Sequence, residues 1–382
     1  MGGFNANNSF GLFSGGCTVC CGGGGGCCQI IVEGAGLGSS IRCAASNTSS
    51  GAYSNVFGKA NINTASNYST INGGTANCIL NFTYNTIGGG ATNKICVCSF
   101  NTISGGTLNT ICGLSHAIGG GGSNLINGEN YSVIGGGFNN QNNAGQSVIS
   151  GGESNRIFGG NRNFIGGGVC NNLTSLSATY SFIGGGCCNS SCVGQSVIVG
   201  GALNTISSTG AGSFIGGGCC NNIVGCFSII NGGKSNNINC GTCNAIFYGT
   251  NNTISSSGVS NSVSAYGSLI SGNGNQNILI GGGANCISGG ISAVVGGQYN
   301  SVSGYGSGVF SGRYHINSSC FSSILGGCCN VVSGALTSVV GGLLNSNQGQ
   351  YSFIGSGICN QLCNSVSGCC ALGSVLVGGV GN

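Results

Sequence analysis

Cysteine carries most of the reactive chemistry in this 382-residue chain, and its 27 thiols fall into patterns with different uses. Cys17-Thr18-Val19-Cys20-Cys21, followed by Cys27-Cys28, brings together enough thiols for a zinc site. The glycine run between them lacks the architecture of a zinc finger, so no metal is expected there. Cys240 and Cys243 repeat the Cys-x-x-Cys spacing inside a variable loop. Cys170, Cys188 and Cys220 recur at one place of a repeat, which predicts a ladder of thiols or disulfides if successive repeats stack within the roughly 4.4–6.8 Å between Cα atoms that a disulfide tolerates. The plain alternative is a small buried apolar side chain in a reducing compartment. An odd total leaves at least one thiol free or paired between chains.

The other reactive groups are scattered. Glu33, Glu129 and Glu153 are the three acids and Asp is absent, so paired carboxylates and calcium-binding glycine repeats are both excluded. His116 and His315 stand in distant repeats. Gly119–Gly122 is a glycine string with no helix behind it to cradle phosphate. Arg42, Lys59, Lys94, Arg156, Arg162, Lys234 and Arg313 give a net charge of +4 without forming the basic stripe that nucleic acid requires. The expectation is a non-enzyme without cofactor or nucleic-acid partner. No stretch approaches the ~20 apolar residues of a membrane helix. Met1-Gly2-Gly3-Phe4-Asn5 lacks the basic start and apolar run of a signal peptide.

What must position any functional group is a repeat of about fifteen residues that begins near residue 40. It is clear in Ser147-Val148-Ile149-Ser150-Gly151-Gly152-Glu153-Ser154-Asn155-Arg156-Ile157. With the first Ile as position 0, Gly follows at +2/+3, Asn at +6 and a second aliphatic at +8. Ile198, Asn204 and Ile206 repeat the pattern, as do Ile215, Asn221 and Ile223. Two short β-branched segments separated by glycine turns predict a parallel β-solenoid of two-strand coils. At about 4.8 Å per coil, some twenty-two coils predict a stack on the order of 100 Å. Stacked Asn side chains predict an amide ladder; the alternative is an Asn chosen for a left-handed backbone.

Four segments follow: 1–35, Gly/Cys-rich, a candidate docking segment toward other surface or virion proteins; 36–254, regular coils; 255–280, an irregular coil or kink, because Ile270 and Leu279 lie too close for a full coil; and 281–382, regular coils. The long step from Ile165 to Ile183 places an insertion near Thr174–Thr179, outside the strands.

Position −1 is apolar at Val133, Val148, Phe164, Phe182, Val197, Phe214 and Ile229. Adjacent apolar residues on a short strand predict burial on both faces, one inside the coil and one against further copies, the alternative being a thicker monomeric solenoid that takes both inside. Ser-Val-Ile-Gly-Gly-Gly (Ser132–Gly137), Ser-Phe-Ile-Gly-Gly-Gly (Ser181–Gly186) and Asn-Thr-Ile-Ser-Gly-Gly (Asn101–Gly106) resemble the head repeats of trimeric autotransporter adhesins and related repeats of viral fibre and spike proteins. That resemblance implies a left-handed, homotrimeric β-roll serving attachment to a surface. The chain differs from the bacterial proteins in having no export signal, stalk heptads or membrane barrel, which favours a virion or extracellular surface component. Two other expectations compete with an attachment fibre: a filament subunit that stacks end to end, and an ice-binding solenoid, which would need an aligned Thr ladder.

Overall fold

The computed structural model describes residues 31–42, 46–174, 179–207, 209–363 and 372–382. Two compact units, Met1–Arg162 and Asn163–Asn382, divide the chain, and the same coil builds each. The described residues are all β with no helix, so no helix is long and apolar enough to cross a membrane.

A coil contributes one short strand to a first sheet and, eight residues on, another to a second sheet. In the first unit Val133–Ile134 pairs in parallel with Ala117–Ile118 and Val148–Ile149, while Gln141–Asn142 pairs with Leu125–Ile126 and Arg156–Ile157. In the second unit Phe214–Ile215 lies between Val197–Ile198 and Ile229–Ile230, and Asn222–Ile223 between Thr205–Ile206 and Asn237–Ile238. Each unit is thus a parallel β-solenoid. Strands stay short because the glycines beyond them turn the chain, yet each of these finds its hydrogen bonds in the coils on either side. Ile149, Ile157, Ile198, Ile206, Ile215 and Ile223 are all 0% exposed and fill the space between the two sheets. Truncating one to Ala would cost about 2–5 kcal/mol.

The Asn at +6 is also fully buried, and of the two expectations only the ladder fits it. Left-handed backbone falls one residue earlier, at +5: Asn139 (φ 55°), Ser154 (φ 56°), Leu203 (φ 56°) and Cys220 (φ 59°). The Asn itself is free of that constraint, so the left-handed reading of +6 is overturned. The ladder is real but runs chiefly from side chain to main chain. Asn140 Oδ1 accepts the Asn155 amide N–H at 3.0 Å, and Asn140 Nδ2 donates to the Gly136 and Gly152 carbonyls at 3.0 and 2.9 Å. Asn155, Asn204 and Asn221 occupy the same place; Asn204 Oδ1 accepts the Asn221 N–H at 3.0 Å.

A second ladder at −2 escaped the sequence reading. There Ser132 donates its hydroxyl to Ala144 O at 2.6 Å and accepts the Ser147 N–H at 3.4 Å, and Asn244 accepts the Asn261 N–H at 2.9 Å. The coil is therefore two similar halves, each reading left-handed residue, ladder residue, outward residue, buried aliphatic.

Both histidines are rungs. His116 Nδ1 accepts the Ser132 N–H at 3.0 Å in the −2 ladder, and His315 Nδ1 accepts the Asn330 N–H at 3.1 Å in the +6 ladder. Burial, opposed by the backbone hydrogen bonds, holds both rings below their ordinary pKa of 6.5. Unfolding frees each ring to bind a proton near that ordinary value, so below about pH 6.5 the unfolded chain carries more protons than the folded one. Stability that is whole above that pH is lost as pH falls toward the lower folded value. The melting temperature is therefore expected to drop on acidification through this range, and the double variant His116→Asn/His315→Asn to flatten the drop. An unchanged slope in the double variant would refute the assignment.

In the 255–280 segment the coils stay continuous and the irregularity lies in the strands. Ile270 belongs to the second sheet, paired with Ile254 and Ile287, while Val263 and Leu279 continue the first. What changes is strand length: Ala245–Thr250, Ser262–Tyr266 and Ile278–Gly283 are longer and shift register where they pair. Of the insertion after Ile165, residues 175–178 lie outside the described residues, and Phe164 and Ile165 still pair in register with Phe182 and Ile183. Residues 1–30, including the Cys17–Cys28 cluster, also lie outside them. Ile31–Glu33 pairs antiparallel with Ser40–Arg42.

Candidate functional site

With Ile, Gly and Asn consumed by the scaffold, the variable positions are those that point outward, and they form columns one residue per coil. The outer face of the first sheet is made by positions −1 and +1, since alternate residues of a strand share a face. In the first unit this face carries Thr70, Thr86 and Thr102 in register, then Ala117, Val133 and Val148. The Thr row ends after three coils, and Thr110, Thr205 and Thr253 have no Thr beside them in the second sheet.

In the second unit the same face is apolar in all coils from Phe164 to Val340 but that of Ser262 and Ser264. Phe164, Phe182, Val197, Phe214 and Ile229 occupy −1, mostly opposite glycine at +1. Further on, −1 becomes small at Ala293, Gly308, Ser323 and Ser338, and the large residue moves to +1 as Val295, Phe310, Leu325 and Val340. In most coils one bulky residue is matched with one small one, which keeps the layer thin. The Phe rings lie over the neighbouring glycine: a Cβ on Gly184 would meet the Phe182 ring at 3.2 Å, and one on Gly216 the Phe214 ring at 3.3 Å. Phe164 and Phe182 stack at 5.3 Å between ring centroids. Yet Phe182 is 37%, Ile229 41% and Phe310 49% exposed. The residues expected to be buried on both faces of the strand are buried on one only within a single chain.

A second exposed column stands at −3 in the first unit, where the backbone is left-handed. Tyr53, Tyr68, Tyr84 and Phe100 stack successively, each 5.2 Å from the next between ring centroids. Stacks of this kind contribute about 0.5–1.5 kcal/mol each. The sequence signal for this column is an aromatic three residues before each of four successive anchors, Val56, Ile71, Ile87 and Ile103.

The thiols sit mostly at corners. Cys170 and Cys188 occupy +5 of successive coils, and Cys220 lies a further two coils on, with Leu203 between, so the predicted ladder is a pair and a separate site. Each of Cys188, Cys220 and Cys329 has a cysteine immediately before it: Cys187 Sγ lies 3.1 Å from Cys188 Sγ, Cys219 Sγ 3.0 Å from Cys220 Sγ, and Cys328 Sγ 3.1 Å from Cys329 Sγ. The neighbour's hydrogen bond, with smaller contributions from burial and from Cys187 and Cys170, pushes the Cys188 thiol up to about 11. Cys112 is pushed up to about 12, by burial first and then by hydrogen bonding to Cys96 in an adjacent coil. No cluster of three or more metal-ligating side chains occurs among the described residues. No protein-family model matches the chain, and no curated protein is detectably similar to it in sequence.

Proposed function

We propose that the chain is a structural component of a fibre or attachment apparatus, on a virion or other extracellular surface, built from three copies packed through the outer face of the first sheet. The observation that carries this is the apolar layer of the second unit, left exposed or half-exposed in a single chain, with at least one apolar residue at −1 or +1 of every coil from Phe164 to Val340 except that of Ser262 and Ser264. Burying such a row contributes about 25 cal/mol per Å². A copy of the same chain is the surface whose rows recur at the same period, so that every row meets its equivalent. Identical chains close most readily into a cyclic assembly. The resemblance of the repeats to trimeric adhesin heads favours three, and the outward columns, including the Tyr53–Phe100 stack, are then left to make contact with a surface.

The test is the native mass of the full chain in reducing buffer, beside the variant Phe182→Asn/Phe214→Asn/Phe310→Asn. A trimer is expected, falling to monomer in the variant with the coil intact by circular dichroism. A monodisperse monomer of the unaltered chain would end the reading, and long filaments in electron micrographs would favour end-to-end stacking instead.

A further inference from the structure

Among the described residues of the second unit, three Cys-Cys steps share one corner of the coil, at +4 and +5, just past the glycine turn that ends the apolar face. Cys170 and Cys359 stand at +5 on the same edge. These thiols reach solvent: Cys187 and Cys220 are exposed, and Cys219, Cys328 and Cys329 half-buried.

Geometry decides what each can bond to. Within a step, neighbouring Cα atoms are held about 3.8 Å apart, short of the roughly 4.4 Å at which relaxed disulfides begin. Closing the step on itself would store strain and make the bond easily reduced. Along the edge, the residues on either side of Cys219 are Ala202 and Lys234, and those beside Cys328 are Arg313 and Leu343. At +5, Cys220 lies between Leu203 and Ser235, and Cys329 between Tyr314 and Leu344. No cysteine of the adjoining coils stands at these positions. Cys188 is the exception, because Cys170 sits on the next coil at the same position.

We infer that the Cys219-Cys220 and Cys328-Cys329 steps are sites of covalent cross-linking between copies of this chain, whereas Cys170 and Cys188 close a bond within it. The identity of the partner as a second copy rests on the assembly proposed above. Parallel copies present equal rungs at equal heights, so Cys219 and Cys220 of one copy stand level with those of the next, and Cys328 and Cys329 likewise.

The chemistry is thiol–disulfide exchange with a small disulfide such as oxidised glutathione. One cysteine thiolate attacks the glutathione disulfide, forming a mixed disulfide and releasing one glutathione. A thiolate of the other copy then attacks the cysteine sulfur of that mixed disulfide and expels the second glutathione. Two thiols are oxidised, their two protons pass to the departing glutathione thiolates, and one glutathione disulfide is reduced. The thiol beside the mixed disulfide would ordinarily expel glutathione first; here that route needs the strained ring, so the mixed disulfide persists until another chain arrives.

The full chain, purified reduced, is incubated with oxidised glutathione and separated on denaturing gels without reductant, and its disulfides are mapped by mass spectrometry. Covalent dimers and trimers are expected, with like-to-like links at 219/220 and at 328/329 and an internal 170–188 link. The variant Cys219→Ser/Cys220→Ser/Cys328→Ser/Cys329→Ser should lose these species at least tenfold while keeping its native mass. Vicinal rings at either step, links to unlike positions, or undiminished oligomers in the variant would each overturn the inference. Native mass before oxidation reads the assembly separately: a trimer that gives only vicinal rings sinks the cross-links alone, whereas a monomer sinks the assembly.

Discussion

Alanine at Gly137 is expected to destabilise the first unit by about 3–5 kcal/mol, combining backbone strain and overpacking. Gly137 has a φ of 88°, a conformation that a side chain disfavours. The added Cβ would also press on the Gly152 carbonyl oxygen of the next coil and lie 2.8 Å from Asn140 Nδ2. The substitution thus strikes the turn and the ladder together. Its neighbour supplies the control. A Cβ on Gly151, in the same turn of the next coil, meets nothing closer than the Gly136 carbonyl oxygen at 4.0 Å, so Gly151→Ala should change stability by less than about 1 kcal/mol. Urea denaturation with amide hydrogen exchange reads both, and stacked coils predict that protection is lost mainly in the coils next to residue 137. Equal effects at the two glycines would contradict the turn geometry.

Asn221→Ala is the second large effect, at about 4 kcal/mol. The side chain accepts the Asn236 N–H at 3.0 Å and donates to the Gly217 and Gly233 carbonyls at 2.9 and 3.1 Å, all at a fully buried residue. Truncation leaves a buried N–H without its acceptor and removes every hydrogen bond that Nδ2 donates, including one to Asn204 Oδ1 at 3.1 Å, and each such loss costs about 1–3 kcal/mol. Asn221→His should recover a good part of the loss at neutral pH, because His315 already serves as a +6 rung in the same unit, accepting the Asn330 N–H. Thermal melts of the three proteins decide it. If alanine and histidine are equally damaging, the ladder's acceptor role is wrong.

What the repeat pattern could reveal was whatever a single residue type must fill. Aliphatics between two sheets, glycine at a reversal and Asn at a rung leave few substitutes, so Ile149, Gly152 and Asn155 announce themselves. The left-handed position does not, because its side chain points into solvent and Ser, Cys, Tyr and Leu all occupy it; only its constant place before the rung marks it. The −2 ladder was obscured for a related reason. Ser, Asn, His and Thr all offer an acceptor, so the position has a chemistry but no single letter. Ile270 was misplaced because the two halves of the coil are near copies of one another. Where Val263 stands in place of Ile, the buried row is easily joined to the wrong half. The Cys-Cys steps were visible in the chain, but which thiols meet depends on coil adjacency, and that only the stacking supplies.

The assembly is tested most directly by electron cryomicroscopy of the reduced, full-length chain. Three-fold symmetry about an axis lined by Phe182, Phe214 and Phe310 is the predicted result. Particles of a single chain, or copies joined through any face that leaves those rings in water, would contradict it.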